Sequence, residues 1–163
     1  MSLLHEFFHY NNWATQQLID YCQQQSPIIL KEIVVATDRS ILHTLTHLIG
    51  SEQEYLEELM GEKITTPVRQ GQLLTLEEIA DRSEQLMVDW EKMLERIDQI
   101  DITIPADGSW PETPHGQNVL FLQAMQHGID HRTQIYTTLS MLGLEPPKID
   151  GWSYWLAEHR SGS

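Results

Sequence analysis

The sequence predicts an all-α fold: a four-helix bundle with a crossover between helices two and three and a short C-terminal helix. Three observations predict it. Apolar residues recur with a period near 3.6 through most of the chain's 163 residues. Strand-like alternation is nearly absent. Proline, glycine and polar clusters fall between four long amphipathic stretches, the arrangement of a bundle. No internal repeat, low-complexity tract or linker interrupts residues 1–163, so they read as a single domain of ordinary size.

The first helix is expected to start after Ser2 and run to about Gln25, because Ser26-Pro27 resists further helix. Leu4, Phe7, Phe8, Ala14, Leu18 and Cys22 share one face of it. The second runs from about Asp38 to Met60, with Asp38 or Ser40 as N-cap and Gly61 past the end. Its inward face reads Ile41, Leu45, Leu48, Leu56 and Leu59. Lys63 to Leu74 is too long for a tight turn, which suggests the crossover. The third helix opens on a capping box, Thr75-Leu76-Glu77-Glu78, and continues to about Ile97. Asp101 to Glu112, with Pro105, Asp107-Gly108 and Pro111, reads as a loop or small hairpin. The fourth helix opens at Thr113-Pro114 and ends before Gly143, roughly 43 Å at 1.5 Å per residue. Pro146-Pro147 stops further helix, and a short last one begins at Asp150 with Trp152 and Trp155. Ser161-Gly162-Ser163 reads as a frayed end.

Charge narrows the function. Lys and Arg total 10 against 24 Asp and Glu, a net charge of −14. Binding a phosphate backbone needs a basic surface, so nucleic acid is not an expected partner. An anionic membrane surface is disfavoured for the same reason, and no apolar run approaches the roughly 20 residues of a membrane helix. Cys22 stands alone, so there is no internal disulfide and no CxxC pair. A reducing compartment, the cytoplasm, is the expectation, and Met1-Ser2-Leu3-Leu4-His5-Glu6 does not read as a signal peptide.

Histidine is the informative residue. There are eight, and six fall into three pairs spaced i, i+4, which puts each pair on one helix face. His5-Glu6-Phe7-Phe8-His9 matches the HExxH pattern of zinc proteases. The wheel turns both rings away from the apolar stripe, so a solvated face is the better reading. His43 and His47 fall on the polar flank of helix two, beside Glu54 and Glu58, and taken alone read as surface. His127 and His131 lie on the face of Leu120, Ala124, Ile135 and Leu142. Two imidazoles inside an apolar stripe must be satisfied, by hydrogen bonds or by a metal, and the residues leave both open.

Other chemistry is weak. There is no GxGxxG, Walker A or GxSxG motif. Cys22 reads as packing. A di-iron bundle needs inward Glu-x-x-His motifs, and Glu6…His9 and Glu112…His115 do not qualify.

The stretch Gln126-His127-Gly128-Ile129-Asp130-His131-Arg132-Thr133-Gln134-Ile135 resembles the helix-four motif of the DinB family, small metal-binding four-helix-bundle proteins. Leu142-Gly143-Leu144-Glu145-Pro146-Pro147, then Asp150 and Tyr154, continue the likeness. Tyr10-Asn11-Asn12-Trp13-Ala14-Thr15 is similar to the family's N-terminal motif, and His47-Leu48-Ile49 with Glu52 and Tyr55 to its helix-two motif. The resemblance implies one divalent metal ion held by His47, His127 and His131, and it prefers His47 to His43. Three His leave a fourth position open, the pattern of catalytic zinc, although imidazoles suit nickel and iron equally. Thr133 stands where the family usually has Gly, and Thr15 where it usually has Asn. The resemblance further implies a homodimer and a small-molecule substrate. It points to a metal-dependent enzyme, a thiol-dependent S-transferase using a low-molecular-weight thiol, or a hydrolase. A non-catalytic metal-binding stress-response protein is the alternative. For such a site Tyr10, Trp13, Tyr154 and Trp155 are candidate wall residues, and Arg132 a candidate partner for a substrate carboxylate.

Overall fold

The computed structural model describes residues 2–34, 37, 39–96, 103–104 and 115–160. Their elements are α1 (Leu3–Gln23), α2 (Ile41–Met60), α3 (Leu76–Glu95), β1 (Thr103–Ile104), β2 (His115–Gly116), α4 (Gln117–Met141) and α5 (Gly151–Arg160), with one 3-10 turn at Ile29–Lys31. α1, α2 and α3 each start where a side chain satisfies a free backbone N–H. Ser2 Oγ accepts from His5 N at 3.3 Å, and Ser40 Oγ accepts from His43 N at 3.2 Å. At α3 Glu78 N donates to Thr75 Oγ1 while Thr75 N donates to Glu78 Oε2, the reciprocal pair expected there. Gly61 ends α2 at φ 67°, a left-handed cap that a side chain would strain.

β1 and β2 pair antiparallel, Thr103 opposite Gly116 and Ile104 opposite His115, in keeping with the small-hairpin alternative expected there. Because His115 and Gly116 are in that ladder, α4 starts at Gln117, later than expected, with extended Gly116 as its N-cap. The helix is therefore about 37 Å long. The expected opening at Thr113-Pro114, the N-cap alternative Asp38, the end of helix three at Ile97, most of the 101–112 segment and the Ser161-Gly162-Ser163 tail lie outside the described residues.

α1 packs on α3 and α4, and α2 packs on the same two, so α1 and α2 lie diagonally across the bundle. The connection from α2 to α3 runs back along α2. Ile64 N donates to Glu57, Val68 N to Gln53 and Leu74 N to Thr46 Oγ1, a steady retreat toward the α2 N-terminus. This strap is the crossover, and it starts α3 in the same direction as α2.

The core centres on Phe8, Trp90 and Phe121 from α1, α3 and α4, with Phe8 and Trp90 ring centroids 4.3 Å apart. Ile41, Leu45, Leu48, Leu56 and Leu59 are all buried, as the pattern of α2 predicts. Helix one departs from its expected face. Phe7 is 47% exposed and Leu4 only partly buried, because the inward track is Phe8, Asn11, Thr15, Leu18 and Cys22, with Phe7 one position off it. Two polar residues therefore sit in a stripe expected to be apolar. Among the described residues no helix is long and apolar enough to cross a membrane.

Candidate metal centre

α2 and α4 form the most extensive helix pair, and their contact brings His47 to the pair on the α4 face. His127 Nε2 lies 3.2 Å from His47 Nε2 and 3.0 Å from His131 Nε2. One ligand nitrogen from each ring falls within 4.8 Å of the others. Two nitrogens each about 2.05 Å from one ion at the tetrahedral angle stand about 3.3 Å apart, close to these separations. His131 Nδ1 is 2.8 Å from Gln134 Oε1, an amide oxygen that can only accept. The proton of His131 is thus on Nδ1, and its Nε2 lone pair is turned to the cluster. Three ring nitrogens from two helices converge on one point, and with the outward nitrogens protonated all three lone pairs would be offered to a single cation. The residues fit a single divalent ion.

Electrostatics favours the form that binds metal. Burial pushes the His127 ring down to about 4, and the neighbouring His131 and His47 act in the same direction. Burial also lowers His47, reinforced by His131, Arg39 and His43. Tyr55 stands edge-on to His127, ring centroids 5.9 Å apart, and burial raises its phenol, so it stays protonated.

Across α4 from this cluster lies a second polar group. Glu52 is buried and accepts from Asn11 Nδ2 and Trp90 Nε1, both at 3.2 Å. Arg132, 2% exposed, donates through Nη1 to Asn11 Oδ1 at 2.7 Å, to Asn11 O and to Thr15 Oγ1. The chain of bonds joins all four helices through the centre of the bundle. Gly128 makes room for it: a Cβ there would sit 2.5 Å from Asn11 Oδ1. Arg132 is therefore a helix-packing contact, and Thr15, in place of the usual Asn, takes one of its hydrogen bonds. Thr133 is exposed and its hydroxyl donates back to Ile129 O at 2.8 Å, so the close approach of α4 belongs to Gly128 instead.

The remaining sequence candidates are placed as follows. His43 is exposed one turn before His47 and is not in the cluster. His5 and His9 are part-buried, not fully solvated: His5 Nδ1 is 2.6 Å from Ser2 Oγ, and His9 Nε2 is 2.7 Å from Glu91 of α3. Tyr10, Trp13 and Tyr154 pack on one another and fasten α5 to α1, with Tyr10 Oη donating to Ile149 O. Trp155 stacks on His159 at the surface. The aromatic ring beside the histidines is Tyr55. Sequence reading quoted Gln134 within the helix-four motif and gave it no role; its place one turn after His131 is the signal for one.

The model of the DinB family matches residues 1–161, nearly the whole chain. No curated protein matches it.

Proposed function

The chain belongs to the DinB family, and from that premise we propose that it binds one divalent metal ion through His47, His127 and His131 and acts on a small molecule. The reaction class proposed is transfer of a low-molecular-weight thiol to an electrophile, or hydrolysis. The observation that carries this reading is the convergence of three imidazole nitrogens from two helices. A divalent ion held by these three imidazoles would supply Lewis acidity, lowering the pKa of a thiol or water bound to it. The chain's own residues prepare the site. Gln134 holds the His131 tautomer. Burial favours neutral His127, and the partly covered ring of His47 is shifted the same way, toward the form that can bind metal. Tyr55 walls one side as a neutral phenol. Zinc, nickel and iron all suit three imidazoles. The proposal includes a homodimer without nucleic-acid affinity.

Elemental analysis of protein made without a polyhistidine tag tests the site. One ion per chain is expected, lost in His47→Ala, His127→Ala and His131→Ala and kept in His43→Ala. Metal kept by His47→Ala and lost by His43→Ala refutes the ligand set. Turnover of a thiol with a model electrophile by the loaded protein, abolished in His127→Ala, supports the enzyme. Equal rates for the two leave the metal-binding stress protein.

A further inference from the structure

His47 also lines a cavity of about 510 Å³ between α2 and the 68–72 stretch of the strap. Two of the chain's ten Lys and Arg residues line it. Arg39 enters from just before the α2 N-cap, Arg69 from the strap, and His43 from one turn before His47. A single carboxylate, Glu54, faces these groups from the lining. In a chain of net charge −14 a cavity with more cations than carboxylates runs against the general field, and it concentrates anions locally.

Both guanidiniums stand on held backbone. Thr37 Oγ1 donates to Arg39 O at 3.3 Å, and the next residue is the Ser40 cap. Arg69 sits in a turn closed twice: Gln72 N donates to Arg69 O at 2.9 Å, and Arg69 N donates to Gln72 Oε1 at 3.0 Å. Val68 N, one residue earlier, is fastened to Gln53 Oε1 at 3.0 Å. Among the described residues neither Arg39 nor Arg69 forms an ion pair. A larger cavity, about 700 Å³, lies between α2, α3 and the start of the strap. Its lining mixes four cations with Glu62, Asp89 and Glu95, and three of the four are answered within the chain: Lys63 pairs with Glu57, Lys92 with Asp89, and Arg82 donates to Thr66 O.

We propose that the cavity beside His47 is an anion subsite, in which Arg39 and Arg69 hold the carboxylate or phosphate group of a small-molecule ligand. Planar guanidiniums match both groups through paired N–H donors. The link to catalysis, a ligand anchored here and reaching the histidine cluster, rests on the metal-site reading. The anion subsite itself rests on the two arginines.

Calorimetric titration of the metal-free full chain with succinate, and separately with inorganic phosphate, tests it. Binding of at least one anion is expected, and the tighter one identifies the group. Arg39→Gln and Arg69→Gln should each weaken it by about fivefold or more, as loss of a charge-assisted hydrogen bond requires. Arg82→Gln, at the other cavity, should leave it within about twofold on the same ground. Unchanged far-UV circular dichroism shows that the variants fold. Absence of binding for both anions, or binding that neither arginine substitution alters, overturns the subsite. Metal content is measured on the same samples. Arginine-dependent anion binding in a chain that takes up no metal upholds the subsite and overturns the metal reading. Metal uptake without such anion binding overturns the subsite alone.

Discussion

Two polar clusters flank α4 at the same level of the bundle, and they are built on opposite principles. The group around Glu52 mixes a carboxylate, an amide, an indole N–H, a hydroxyl and a guanidinium, so donors meet acceptors. Apart from Arg132 Nη2, the contacts close within the chain. The group around His127 consists of one residue type, and its nitrogens crowd at 3.0 and 3.2 Å with His127 Nδ1 buried and unpartnered. A closed mixed set holds helices together. A set of imidazoles with a buried ring nitrogen left unpartnered is not closed in that way. Burial sharpens the contrast: Glu52 and Arg132 are out of solvent, while His47 opens onto it.

The strongest way to break the contrast is Glu52→Ala. It removes the acceptor for Asn11 and Trp90 and unties Asn11, which in turn accepts from Arg132. A loss of about 3–5 kcal/mol in metal-free stability is expected by chemical denaturation, since two buried donors are left unsatisfied at about 1–3 kcal/mol each. A loss below about 1 kcal/mol would mean that the network is incidental.

A smaller effect separates the clusters by pH. The ring of His127 titrates near 4 in the fold against 6.5 ordinarily. Between those values the unfolded chain takes a proton that the folded chain refuses. Stability of the metal-free protein is therefore full above pH 6.5 and falls as the pH drops toward 4. The contribution is about 2 kcal/mol. Thermal unfolding across pH 4 to 7 should show this slope and should show it reduced in His127→Leu. Equal slopes in the two proteins would contradict the assignment.

The smallest effect sharpens the histidine side. Gln134→Leu removes the acceptor of His131 Nδ1 without touching the network. Metal affinity should fall by about tenfold, the usual cost of losing a partner that orients a ligand, with metal-free stability almost unchanged. Competition with a chromophoric chelator reads this directly. An unchanged affinity would show that packing alone orients the ring.

Local features were legible because they depend on neighbours in sequence. The caps at Ser40, Thr75 and Gly61 and the apolar face of α2 appear where the pattern puts them. α4 starts later than expected because His115 and Gly116 pair with Thr103 and Ile104. Phe7 was misjudged because an apolar residue near a helix end counts toward the stripe whether or not a neighbour covers it. At the site, three pairs share one spacing, and the helical period makes each pair face one way. That spacing does not distinguish them, and His47 was separated from His43 by family likeness alone.

By itself, then, the sequence determined the helices, their caps and the fact that His127 and His131 share a face, since all of these follow from a 1.5 Å rise and a 3.6-residue turn. Tertiary structure decided the rest. The diagonal placement of α1 and α2 brings Asn11 to Glu52, and the α2–α4 contact brings His47 across 80 residues of chain to His127. The return of the strap puts Arg69 beside the same histidine. The physical reason is one of range. A helix repeats its geometry from residue to residue, whereas meeting across a bundle depends on which ridges pack into which grooves and on where Gly128 lets two backbones draw close.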